Sequence, residues 1–232
     1  MTTASFIASP PGHDAGHRVP SAASFADLLL DRLDESSDRP AICDALDGGR
    51  TWTWAEVIAA AVELAAALGD RGLVPGDRIA HVGPHAPDWI VVDLASQLAG
   101  LVHVPLHADA RPAELEAVLG WLGPRCLVRS GPAGGPRLAS TADLLDLRAA
   151  GPGRSEWPSG VMHSQRALVT NARLAADQFL DDPRDVRLSW LPMSHALART
   201  GDLVTTLVRG GCLNVVTDRR RVLDACRVLP PT

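Results

Sequence analysis

Apolar residues recur at helical spacing through Val57, Ala60, Ala61, Leu64 and Leu68, the pattern of one buried helix face. Thr53 precedes that run with a hydroxyl suited to the first free backbone N–H groups, and Gly72 follows it, so a helix is predicted over 54–71. Ser24 plays the same part before a shorter helix over 25–33. After the turn Pro75-Gly76-Asp77 the pattern changes to short apolar runs bounded by turn residues. Such runs at 78–82, 102–105, 126–128, 186–191 and 212–216 predict strands. Between and after them, helices are predicted from Asp88 toward Gly100, over 112–122 with Pro112 in the first turn, over 165–179, near 203–209, and from an Asp218 cap to about Val228. This alternation defines an α/β fold with a largely parallel sheet and helices on both faces. The stretch SGPAGGP at 130–136 marks a soft internal boundary near 130–143, with order expected to resume near Leu144.

Composition then narrows the class. At 232 residues, 46% hydrophobic and 21% charged, the chain can bury a sizeable core as a soluble globular protein. A net charge of -5 gives no electrostatic reason to expect nucleic acid or an anionic membrane as partner. Residues 1–24, rich in Pro, Gly, Ser and His, lack the basic and apolar regions of a signal peptide or membrane anchor, and predict a flexible tail. Cys43, Cys126, Cys212 and Cys226 lie too far apart for a disulfide framework or zinc site, so no metal is predicted and a reducing cytoplasm is the expected compartment. One feature bears directly on chemistry: all 22 basic residues are arginine.

The segments RTWTWAEV, LVPGDRIA, PDWIVVDLA, GLVHVPL, PSGVMHSQRAL and LSWLPMSHALART follow one another in the order seen in a known family. Together, over 25–232, they resemble the N-terminal part of the adenylate-forming (AMP-binding) enzymes, most closely acyl-CoA synthetases of long-chain type. The resemblance implies the first subdomain of that family's large domain and, for the family, ATP-dependent activation of a carboxylate. The family's phosphate loop, TSGTTGxPKG, aligns with GPGRSEWPSG at 151–160. By that alignment Gly153, Ser155, Ser159 and Gly160 are the candidate cofactor-binding positions, in a loop that would wrap phosphate oxygens with backbone N–H groups. Ser159 stands where the family has lysine, Glu156 puts a carboxylate near the triphosphate position, and Pro152 removes a backbone donor. Arg154 projects from another point of the loop, and its planar fork does not replace an ammonium. The loop therefore reads as degenerate, with ATP and Mg expected only if it functions nonetheless or a partner completes it.

His195 matches the family position beside the acyl or aromatic pocket and is the candidate catalytic residue; a turn histidine held by local packing is the alternative. Trp190, Met193 and Ser194 are grouped with it as a candidate substrate pocket, although Trp190 and Met193 also suit a core. His81, His85, His103 and His107 flank strand ends, where α/β folds bind ligands, but their spacing does not bring them together. The sequence reaches Thr232 at a point resembling the segment before the family's second half, and the family's adenine, ribose and C-terminal lysine motifs do not occur in it. Three functions stay open: a silent relative that binds an acyl or carboxylate ligand or acts as a scaffold; half of a split ligase, its missing half covered by a partner chain or homo-oligomer; and an ATP-independent enzyme using His195.

Overall fold

A computed structural model describes residues 24–46, 49–109, 112–129, 144–146, 162–179 and 181–232. The expected boundary near 130–143 lies outside the described residues. Helix α1 (Phe25–Ser36) opens with a capping box, in which Ser24 and Asp27 bond each other's backbone N–H. Strands β1 (Pro40–Cys43) and β2 (Thr51–Thr53) form a hairpin that runs directly into α2 (Trp54–Asp70), capped by Thr53 with Glu56. Then follow β3 (Arg78–Gly83), α3 (Pro87–Leu98), β4 (Val102–His107), α4 (Pro112–Leu122), β5 (Cys126–Arg129) and β6 (Leu144–Asp146). The remaining elements are α5 (Gln165–Gln178), β7 (Val186–Ser189), a π-helical segment (Ala198–Val204), α6 (Thr205–Arg209), β8 (Cys212–Val215), a 3-10 turn (Arg219–Arg221) and α7 (Val222–Val228).

The strands divide into two sheets, in the orders β2-β1-β8-β7 and β4-β3-β5-β6. Pairing is parallel in both except for the β1–β2 and β5–β6 edges. The α/β reading with mostly parallel pairing holds, distributed over two sheets rather than one. Helices α2 and α3 serve both sheets. Their Val57, Ile58, Ala61, Trp89, Ile90 and Leu94 join a core with Ile42 of β1 and Leu213 of β8. Their Leu64, Leu68, Val91, Val92 and Ala95 join another with Ile79 of β3 and Val128 of β5. Across the second sheet, Ala80, Val82 and Leu127 face Leu115 and Leu119 of α4.

Sharing two cores buries α3 on all sides, so residues 87–97 are all buried. Polar side chains inside such a helix must find partners within the protein. Ser96 donates to the Val92 carbonyl at 2.6 Å, and Gln97 reaches Asp93 at 3.4 Å. Asp93 itself, with no exposure, requires much more, and its partners bring the two sheets together.

Candidate functional site

Strand β7 stops at Ser189, and Pro192, which has no N–H to give a ladder, turns the chain. The Pro192 carbonyl accepts the His195 N–H at 2.9 Å, and the His195 carbonyl accepts the Arg199 N–H at 3.0 Å, so helical geometry begins at once. Of the sequence-predicted pocket residues, Trp190 is 44% exposed and His195 is exposed, while Ser194 is half-buried. Met193 points the other way, buried in the larger core. Gly153, Ser155, Ser159 and Gly160, and Glu156 with them, lie outside the described residues. The exposed His163 immediately precedes Ser164, whose hydroxyl caps α5.

Behind the His195 turn the structure assembles a polar chain that residue spacing does not reveal. His81 on β3 and His103 on β4 occupy inward positions of adjacent parallel strands, facing Trp89 and Asp93 of α3. His103 Nδ1 lies 2.8 Å from Asp93 Oδ1, and its Nε2 lies 3.1 Å from His81 Nδ1. A carboxylate only accepts, so His103 carries its proton on Nδ1; in the neutral pair, His81 Nδ1–H then donates to His103 Nε2. From the other side Arg199, on the π-helical segment, donates Nε–H to Asp93 Oδ2 at 2.9 Å and Nη2–H to Oδ1 at 2.7 Å. Burial alone would raise the Asp93 pKa, but the Arg199 charge and then His103 hold it well below the usual carboxylate range. Burial, then the neighbouring His103, pushes His81 well below an ordinary histidine and keeps it neutral.

A second junction ties the carboxyl ends of β3 and β7. His85 Nε2–H donates to the Ser189 carbonyl at 2.9 Å, and the Ser189 hydroxyl donates to Asp202 Oδ2 at 2.9 Å. Burial lowers the His85 pKa, opposed by that carbonyl, and leaves its Nδ1 buried without a partner among the described residues. Asp202 is raised by burial, against the hydrogen bond from Ser189. Asp88, in the first turn of α3, is raised by burial to about 6. Thus His81 and His103 meet and His85 meets Ser189. The clue for the first cluster was Asp93, a lone carboxylate within IVVDLA. Among the described residues no group of His, Cys, Asp and Glu is arranged to hold a metal ion, and no helix is long and apolar enough to cross a membrane.

Two buried sheets sharing central helices, with a histidine-bearing turn after β7, are the setting of the family resemblance, and comparison with known proteins establishes it. The chain belongs to the AMP-binding enzyme family, whose sequence model matches residues 29–151 and 157–232. It is 24% identical over 244 residues to the long-chain-fatty-acid--AMP ligase FadD26 of Mycobacterium bovis, covering 86% of this chain and 40% of that protein. ATP-bound MatB from Rhodopseudomonas palustris superposes with a TM-score of 0.73 at 25% identity, covering 88% of this chain and 47% of that one. The N-terminal subdomain of Klebsiella oxytoca NpsA, solved in complex with 3-hydroxyanthranilyl-AMSN, superposes with a TM-score of 0.70 at 19% identity, covering 93% and 60%. The chain therefore spans 40% of the length of FadD26 and about half of MatB.

Proposed function

We propose that this chain is a carboxylate-binding relative of the adenylate-forming ligases that does not itself carry out ATP-dependent adenylation. The carrying observation is the charge of its phosphate-loop segment. In the alignment with the family's loop, Ser159 takes the lysine position and Glu156 replaces a glycine with a carboxylate, and the chain contains no lysine that could stand in. Losing one charged contact to the transferring phosphates costs about 2–4 kcal/mol, or roughly 10²- to 10³-fold in rate. Glu156 adds repulsion in the same place. Arg154, the arginine of the segment itself, occupies another position of the alignment, and its planar fork does not replace an ammonium. What the fold keeps is the turn after β7 with His195 and Trp190 at its surface, and the NpsA subdomain solved with 3-hydroxyanthranilyl-AMSN supports ligand binding by this part of the fold. Calorimetric titration with ATP and Mg tests the reading. No binding into the millimolar range is expected; saturation at micromolar ATP overturns it.

A second reading, in which a partner chain completes a split ligase, is favoured by Trp190 and Leu197, 44% and 72% exposed around the His195 turn. It predicts self-association or capture of a second subunit. A stable monomer by light scattering, with apolar acids still bound, counts against it.

A further inference from the structure

We infer that Arg199 seats the carboxylate head of the ligand, which the protein takes as the unactivated acid; this rests on the carboxylate-binding reading above. Arginine carries five N–H donors in a rigid planar fork. Here the Nε–H and one Nη2–H are spent on the two oxygens of Asp93, at 2.9 and 2.7 Å. Among the described residues the Nη1 edge has no partner, and the side chain keeps 13% exposure where that of Asp93 keeps none. One edge of the guanidinium is bonded to a buried carboxylate; the other has no partner among the described residues.

The arrangement is built rather than incidental. Asp93 is anchored by His103 and His103 by His81, and the rings of His81, His103 and Trp89 pack together with centroids 5.1–5.3 Å apart. A guanidinium held in this way has surrendered its rotamer freedom before any ligand arrives, which is what preorganised recognition requires. An α-type backbone bond, from the Arg199 N–H to the His195 carbonyl four residues earlier, puts Arg199 one turn beyond His195, so both residues lie on one side of the turn. Trp190, exposed at the start of the same turn, supplies apolar surface for the body of an amphipathic acid.

The open edge offers donors and no acceptor, so it selects a ligand oxygen with lone pairs, and the planar fork matches a carboxylate. Because Asp93 already balances the arginine charge, the seat favours a single negative charge over a highly charged phosphate group. A carboxyl esterified or already joined to an adenylate has lost the anion that Arg199 would hold.

The test is titration of the purified chain, by calorimetry or ligand-observed NMR, with decanoate and with benzoate, each against its methyl ester. At least one acid should bind at least about tenfold more tightly than its ester, about 1.4 kcal/mol. Arg199→Met should erase that preference, and Arg199→Lys should recover only part of it because an ammonium lacks the fork. Equal binding of acid and ester, binding of neither pair, or an acid preference that survives Arg199→Met overturns the proposal. If Arg199→Met does not fold, Arg199→Met combined with Asp93→Asn, which strands no charge, carries the same comparison. Pyrophosphate exchange alongside a retained acid preference would remove the non-adenylating reading and leave the Arg199 seat intact. No exchange together with equal acid and ester binding would do the reverse.

Discussion

Asp93 pairs with Arg199 in a site where neither charge is fully hydrated, and such pairs are asymmetric: replacing both members costs little, while removing one strands the other. Asp93→Asn is therefore expected to destabilise the protein by about 3 kcal/mol. Asp93→Asn combined with Arg199→Met should recover part of that loss in a denaturant titration. Because the folded-state pKa of Asp93 is depressed, its contribution is present above the unfolded-state value and disappears as pH falls through the folded one. Asp88 has the opposite sign. Burial raises it to about 6, so its cost to stability is absent below the unfolded-state value, grows as pH rises from there, and is complete above about 6. Asp88→Asn should gain about 1 kcal/mol at pH 8, the linkage value being reduced by residual contact with water and by the favourable helix N-terminus. The gain should vanish near pH 3; an equal gain at both pH values would reject burial as its cause.

Helix α6 ends at Gly210, whose φ of 75° is the left-handed conformation that glycine adopts without strain. A Cβ there would also run into the buried Arg32 side chain of α1. Gly210→Ala should cost about 1–2 kcal/mol, read as a lowered melting temperature with unchanged circular dichroism at 20 °C. Several elements could be read from the chain because their signals are local. Thr53 and Ser24 cap as their hydroxyls suggest, Gly72 adopts a positive φ after α2, and Pro112 opens α4. The short hairpin β1–β2 could not, since Pro40–Cys43 and Thr51–Thr53 are too brief to show periodicity and Thr53 also serves as the α2 cap. Nor was the π-helical segment predicted over Ala198–Val204, where only the following helix gave a periodic signal.

At the scale of the whole molecule, two sheets share α2 and α3 between them, and this arrangement decides which residues become chemistry. His195 was recognisable because its motif is contiguous. Asp93, His81, His103 and Arg199 were not, because they come from α3, β3, β4 and the π-helical segment, and only tertiary packing makes them neighbours. The family relationship was visible in the order of the motifs. On the function proposed above, the fold persists as a seat for a carboxylate while the phosphate chemistry does not. ATP–pyrophosphate exchange by the purified chain, across aliphatic and aromatic carboxylic acids with saturating ATP and Mg, addresses it most directly. No acid-dependent exchange above background is predicted, and robust exchange with any acid would contradict the claim.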